Sequence, residues 1–326
     1  MSRTSLILRA LCLGTICTLA VSAFAQATAF PVRPIHVVVP FAPGGFVDNF
    51  ARSVGQRVAT EFGQPVIVDN RAGASAIIGT DFVAKAKADG YTLLLASTTN
   101  SINPSFFAKL PYDAHRDLQP ITLAATAPFL LVVGSSVPAT TFADFLALVK
   151  AHPKKYAYSS GGNGSSTHLM GAMLAQMADL DVLHVPYKGL GPAMTDLVAG
   201  QVQFLFSSYA SAAPFIRSGK IRALAIGGDE RLTVLPNVPT VAESGFPDFN
   251  ATGWWGFYAP AGTPKSVMTR LNAALVSAIR APEIAARYQG EAAQMIGTTP
   301  ERMATYFNAD MARWSKVIKA GGIETE

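Results

Sequence analysis

The chain has 326 residues, 50% of them hydrophobic and 14% charged, with a formal net charge of +5 at pH 7. That is too long for a secreted mini-domain held by staples and about right for two ordinary domains. Its Lys and Arg residues are scattered, with no basic block and no interleaved aromatics, so no nucleic-acid partner is expected.

Residues 1–25 have the organisation of a cleaved secretory signal. Arg3 and Arg9 precede the apolar run ALCLGTICTLAVSAF, and Ala23, Phe24 and Ala25 form a small-x-small cleavage site. Cleavage one or two residues later is equally allowed. Gln26 stands where a lipoprotein would carry its cysteine. Both cysteines, Cys12 and Cys17, lie inside this segment, so the mature chain is expected to have no disulfide, thiolate nucleophile or cysteine metal site. Loss of the two arginines leaves a mature charge of about +3. No later apolar run reaches the ~18 residues that a membrane helix requires. A periplasmic location follows.

From there short apolar runs alternate with amphipathic helices, the pattern of α/β layers. IHVVVPF reads as a buried strand, followed by the turn APGG and a helix beginning at Val47 with Phe50, Ala51, Val54, Val58 and Phe62 on one face. PVIVDN is the next strand, IIGTDFVAKAKA a helix and YTLLLAS a third strand, an order that implies parallel pairing. A second unit repeats the scheme. FLLVVG is a strand, and TFADFLALVKAHP is a helix capped by Thr141 with Asp144 three positions on. KYAYSS runs through GGNGSS into the helix THLMGAMLAQM. Then come LDVLHVPY, LGPAMTDLVAG, VQFLFSS, ASAAPFIRSG and IRALAIGG. The C-terminal part is helical, with Thr263–Pro264 and Thr299–Pro300 each read as a cap followed by a first-turn proline. FNATGWWGFYAP reads as a strand returning to the first unit. The chain would then cross between two lobes near residues 121–128 and 248–256, as a hinge.

Enzyme chemistry finds little support in the residues. There is no Gly-x-Ser-x-Gly elbow. Ser165 and His168 are spaced to meet on a first helical turn, which leaves a serine esterase as the reading from another class, against a capping serine and a packed histidine. The histidines at 36, 115, 152, 168 and 184 show no metal-ligand spacing. GGNGSST lacks the lysine of a phosphate loop. The two glycine loops that open helices, APGGFVD and SSGGNGSSTHL, read better as binding surfaces. Glycine lets a ligand approach the backbone, and a helix start attracts anions. Asp48 either complements the helix dipole, fixes the loop, or accepts hydrogen bonds from a ligand.

The ordered segments PIHVVVPFAPGGFVDNFAR, QPVIVDNRAGASAIIGT, ADGYTLLLAS, LPYDAHRDLQPI, HVPYKGLGPAMTDLVAGQV, LPNVPTVAESGFPDF and GWWGFYAPAGTP resemble one family over essentially the whole mature chain. It is the extracytoplasmic solute receptor of tripartite tricarboxylate transporters, also called the Bug receptors. The resemblance implies an α/β type II periplasmic-binding-protein fold, with a central cleft and two crossover segments. Lobe 1 would comprise residues 26–126 and 252–326, and lobe 2 residues 127–251. It further implies a small carboxylate ligand (di- or tricarboxylate, or aromatic), membrane permease subunits as partners, a monomer, and no cofactor or metal. Ligand-binding positions carried over are Phe41, Ala42, Pro43, Gly44, Gly45, Phe46, Val47 and Asp48 in the first loop, and Thr98, Thr99 and Asn100 after the third strand. The second loop gives Ser160, Gly162, Asn163, Gly164, Ser165, Ser166, Thr167 and His168, with Ser207 and Ser208 as a weaker fourth cluster. Tyr187 and Lys188 fall in a shared motif that reads equally as a structural turn. Two positions depart from the family pattern: Phe46, where small or polar residues are common, and Gln203, where an acid is frequent. Phe46 would either favour an aromatic ligand or pack against Trp254 and Trp255. The expected mechanism is capture of a carboxylate by loop amides of both lobes, closure, and delivery to a permease. Reporting to a membrane sensor kinase is the alternative.

Overall fold

The computed structural model describes residues 30–323 together with 325 and 326. The signal segment lies outside the described residues. Residues 34–326 form one compact unit. Its sheet is built from two halves of the same design. In the first, β1 (Ile35–Val39) lies between β2 (Val66–Asn70) and β3 (Thr92–Ser97), parallel to both. In the second, β5 (Ala157–Ser160) lies between β6 (Leu183–Pro186) and β7 (Phe204–Ser208), again parallel to both. Each triplet then receives an antiparallel strand. That strand is β9 (Thr252–Pro260) beside β3, and β4 (Leu118–Gly134) beside β7. Outside them stand β4 in the first half and β8 (Ile221–Ile226) in the second. The strand order is thus β2-β1-β3-β9-β4 and β6-β5-β7-β4-β8.

β4 belongs to both halves, which is why 17 residues run as one strand where the sequence suggests only FLLVVG. Leu118 to Pro128 pair with β9, whereas Phe129 to Gly134 pair with β7 and β8. The chain returns beside this changeover. Phe129 N–H donates to Ala251 O at 2.9 Å, Ala251 N–H donates to Gly227 O at 2.6 Å, and Thr252 pairs with Pro128. Gly253 is required at this crossing, because a Cβ there would run into the Phe129 ring.

The helices form where an apolar stripe meets a stop signal. α1 (Phe46–Phe62) buries Phe46, Phe50, Ala51, Val54 and Val58, and ends on Gly63 at φ 64°. It begins one residue before the expected Val47. α2 (Ile77–Ala84) and α3 (Thr98–Phe106) complete the first half. α4 (Phe142–Lys150) starts with the Thr141–Asp144 capping box, followed by α5 (Ser166–Met177), α6 (Leu190–Val198) and α7 (Tyr209–Arg217). α8 (Lys265–Ile279), α9 (Pro282–Gln289), the short β10 (Gln294–Met295) and α10 (Pro300–Gly321) follow. Thr299 caps α10. Thr263 does not cap α8: Pro264 takes the N-cap position, and Thr263 Oγ1 turns back to donate to Pro260 O at 2.7 Å. No helix among the described residues is long and apolar enough to cross a membrane.

α10 serves both halves. Its 22 residues span about 33 Å. Met303 and Phe307 enter the core of the first half with Trp254 and Tyr258, while Trp314 and Ile318 enter that of the second with Phe145 and Leu174. Between them sits Asp310, 6% exposed. Its Oδ2 accepts from Ser101 Oγ at 2.5 Å and Trp254 Nε1 at 2.7 Å, and its Oδ1 pairs with Arg313. Arg313 Nη1 donates to Asn250 O at 2.6 Å, beside the return crossing. One carboxylate therefore ties α10, α3, β9 and the crossing together. Asp310→Ala would leave the buried Trp254 N–H without an acceptor and Arg313 without its carboxylate, while Ser101 Oγ keeps Thr98 O, and should cost about 1–3 kcal/mol in urea unfolding. A loss under about 1 kcal/mol would show that the site relaxes around the missing group.

Candidate functional site

In open α/β sheets ligands bind beyond the carboxyl ends of the strands. Six strand-to-helix junctions stand there: β1 to α1, β2 to α2, β3 to α3, β5 to α5, β6 to α6 and β7 to α7. Each must satisfy the leading amides of its helix, and they do so differently.

At the first junction Gly45 is the N-cap, with φ −80° and ψ 174°, and no side chain caps α1. Ala42 to Gly45 are exposed, and a Cβ at Gly44 or Gly45 would meet nothing within 4 Å. Asp48 shapes this loop from below. Its Oδ2 accepts from Gly44 N–H at 2.9 Å, and its Oδ1 accepts from Asn70 Nδ2 at 3.0 Å and pairs with Arg52 at 2.9 Å. Asn70 Nδ2 also donates to Phe41 O at 3.1 Å. Burial works to raise the Asp48 pKa, but the Arg52, Gly44 and Asn70 bonds outweigh it and hold it below the usual carboxylate range. The carboxylate is thus engaged in fixing the loop. Phe46, buried at the first helical position, has its ring 4.2 Å from Trp255, 5.5 Å from Tyr288 and 5.8 Å from Phe50. It anchors the start of α1 to β9 and α9. Val47 is half-buried.

α3, α5 and α7 carry serine caps at Ser97, Ser165 and Ser208, whereas α2 and α6, like α1, start without a side-chain cap, at Ala76 and Gly189. After β3, Asn100 Oδ1 accepts from Ser97 N–H and its Nδ2 donates to Thr80 Oγ1, while Thr98 Oγ1 accepts from Trp254 N–H. Thr99 Oγ1 instead accepts from Ser166 N–H of α5, at 3.4 Å. The β5 loop is bonded largely to itself. Gly161 N–H donates to Thr167 Oγ1 at 3.0 Å, Gly162 N–H to Ser160 Oγ at 3.1 Å and Gly164 N–H to His168 Nδ1 at 3.2 Å. After β7, Ser208 Oγ donates to Ser211 Oγ and Ser207 Oγ to Ser208 O, and both serines are buried.

Ser165 and His168 do not form a side-chain dyad here. Ser165 Oγ donates to Gly162 O at 2.6 Å and accepts from His168 N–H, whereas the His168 imidazole stacks on His184 at 3.9 Å. A different pair, Ser160 Oγ and His184 Nε2, lies at 2.7 Å, with Ser160 fully buried. Among the described residues no group of three or more His, Cys, Asp or Glu is placed to hold a metal ion. Tyr187 donates to Asp196 Oδ2 at 2.6 Å, and Gln203 Oε1 accepts from Ala157 N–H at 2.8 Å, so both serve local structure.

The loop between β2 and α2 escapes the sequence reading. Ala74, Ser75 and Ala76 have φ of 44°, 47° and 70°, a left-handed run without glycine that costs on the order of 1–3 kcal/mol per residue. Ser75 Oγ donates to Asn163 O at 2.5 Å. Asn163 Nδ2 also donates to Glu326 Oε1 at 2.7 Å, and Glu326 N–H donates to Phe106 O at 3.0 Å. The small residues of RAGASA are the available signal.

The stacked histidines make stability depend on pH. Burial pushes His168 down to about 4, with Glu326 partly opposing, and burial followed by the His168 neighbour pushes His184 down to about 3. The unfolded chain, with histidine near 6.5, takes up these protons first. The stability is therefore complete above about pH 6.5 and declines as pH falls toward 4. The melting midpoint should drop between pH 6.5 and 5, and His184→Phe should make that drop shallower. A variant profile parallel to wild type would show that the pair is not the titrating unit.

The Tripartite tricarboxylate transporter family receptor model matches residues 50–323. The "UPF0065 protein in tcbD-tcbE intergenic region" of Pseudomonas sp. (strain P51) is 44% identical over 294 residues, covering 89% of this chain and 87% of that protein. The solved structure of R. palustris Rpa4515 with adipate has a TM-score of 0.87 at 32% identity, covering 90% of this chain and 99% of that one. The periplasmic binding protein BugD gives 0.86 at 33%, covering 91% and 100%. The two sheet halves with their paired crossings are the two lobes of this fold, and the chain belongs to the family of tripartite tricarboxylate transporter receptors.

Proposed function

We propose that the chain is a periplasmic receptor that binds an organic di- or tricarboxylate between a lobe of residues 26–126 and 252–326 and a lobe of residues 127–251, and hands it to a membrane permease. It reaches the periplasm through cleavage of the signal near Ala25, acts as a monomer and turns over no substrate. The observation that carries this reading is the α1 junction: an exposed Gly44–Gly45 backbone at a helix start without a side-chain cap, with the dipole favouring a carboxylate. The family and the adipate held by a 32% identical relative support it. The second loop contributes by exchange, its Ser166 amide leaving Thr99 for the solute, since a ligand closes the cleft only through contacts it makes better in the closed state. With Phe46 packed against Trp255, an aliphatic chain between the carboxylates is favoured over an aromatic ring.

Calorimetry and thermal shift against mono-, di- and tricarboxylates, including adipate and an aromatic acid, test this. A binder at a hundred times its Kd should stabilise the fold by about 2.7 kcal/mol. If only neutral sugars or cationic peptides bind, the proposal fails. Gly45→Asp is the sharper probe. An aspartate fits the extended N-cap backbone and the open space around it, and should change stability by no more than a few tenths of a kcal/mol. Its own carboxylate would occupy the anion position, so carboxylate binding should be lost while the fold is kept. Retained affinity would place the ligand elsewhere.

A further inference from the structure

We infer that Ser75 is an interlobe latch, whose hydroxyl holds the two lobes together in the absence of solute. The inference deepens the receptor reading and rests on its assignment of the lobes, not on the nature of the ligand. Ser75 lies between β2 and α2 in the first lobe, and Asn163 lies between β5 and α5 in the second. The bond from Ser75 Oγ to Asn163 O is 2.5 Å long and joins residues 88 positions apart.

Both partners are held in place for this contact. On the first lobe, Asn103 Nδ2 donates to Ser75 O at 3.0 Å, Ile77 N–H donates to Ala74 O at 2.9 Å, and Thr80 Oγ1 donates to Ala76 O at 2.7 Å. Asn103 and Thr80 are fully buried, so the left-handed turn sits on rigid supports. On the second lobe, Gly162 and Gly164 flank Asn163 at φ 126° and 70°. A Cβ at Gly164 would stand 2.7 Å from Phe106 Cδ1 and 3.0 Å from Phe107 Cε2. Only a glycine lets this backbone lie against the first lobe so closely, and that approach brings Asn163 O to the hydroxyl. Two further contacts join the same lobes and are untouched by changes at residue 75: Asn163 Nδ2 donates to Glu326 Oε1 at 2.7 Å, and Ser166 N–H donates to Thr99 Oγ1 at 3.4 Å.

The acceptor is a main-chain carbonyl, so the chemical requirement falls on residue 75 alone. A hydroxyl there latches; a hydrogen or a methyl does not. The latch makes a closed, empty form part of the resting population, and a solute then binds a cleft that is already partly assembled.

Small-angle scattering of the purified, ligand-free protein tests the latch with Ser75→Ala and Ser75→Gly. Alanine keeps the left-handed penalty, whereas glycine removes it and guards against simple misfolding. Both variants should melt as single cooperative units. Both should show a larger radius of gyration, with the closed-to-open ratio lowered about fivefold, as loss of one ordinary net hydrogen bond produces. Variant curves superimposable on wild type would overturn the latch, as would a wild type already at open dimensions. Opening in the glycine variant alone would also overturn it, because the freed backbone rather than the lost hydroxyl would then be responsible. Adipate titration is read separately. A shifted ligand-free ensemble without any carboxylate binding would keep the latch and remove the carboxylate reading, and the reverse result would do the opposite.

Discussion

Every strand-to-helix junction leaves amides that water or the protein must satisfy, and how each junction satisfies them decides what it can hold. The chain presents the same problem six times, at equivalent places in two halves of like topology. Three junctions are closed by a serine hydroxyl, from Ser97, Ser165 and Ser208. The starts at Gly45, Ala76 and Gly189 have no side-chain cap, and the one at Gly45, with its exposed backbone, is left to whatever approaches it. Asp48 makes that possible. Its carboxylate is bonded to Gly44 N–H, Asn70 and Arg52 on the inner side, so the loop keeps its shape without turning its outer face inward. An acid three residues from Gly45 would ordinarily repel an anion that approached this loop. Here the Arg52 partner and the neutral amide donors offset its charge.

The histidine stack plays the corresponding part in the second lobe. His168 accepts from Gly164 N–H only while its Nδ1 is unprotonated, and its contact with His184 at 3.9 Å disfavours charge on either ring. A pair of imidazoles held neutral serves here as a loop support. The Ser160–His184 bond belongs to the same support, since Ser160 Oγ also accepts from Gly162 N–H. The asymmetry between the lobes is therefore one of filling. The first loop is shaped from beneath and open above, whereas the second is packed upon its own side chains.

Much of this was legible in the chain itself. The period of Phe50, Val54 and Val58 gives α1, the Thr141–Asp144 and Thr299–Pro300 pairs give two helix starts, and the glycine loops mark two of the six junctions. The roles of single residues were less legible, because they depend on partners far away in sequence. Asp310 meets Ser101 across 209 positions, and no local pattern announces it. The length of β4 is not announced locally: Pro120 and Pro128, a residue type that disfavours strand interiors, lie within a strand that changes partners. Thr263 looked like a cap because threonine before proline often is one, but the chain turns back at Pro260 and engages its hydroxyl there. Ser75 was concealed most fully: left-handed backbone is read from glycine or asparagine, and here alanine and serine adopt it.

That last point bears on why the strain persists. A glycine at position 75 would adopt φ 47° without penalty, so the backbone alone gives no reason for serine there. Alanine would suffer the same crowding and return nothing. Serine is the smallest residue that accepts the left-handed turn and still carries a donor to Asn163 O. Strain held at one loop and repaid by a bond to the opposite lobe has a further consequence, because the bond exists only when the lobes meet. The cost is constant in the open and closed forms, and the return is confined to the closed one. A contact of that kind changes the balance between forms without changing either lobe, and thereby sets how much of the closing energy a solute has to supply.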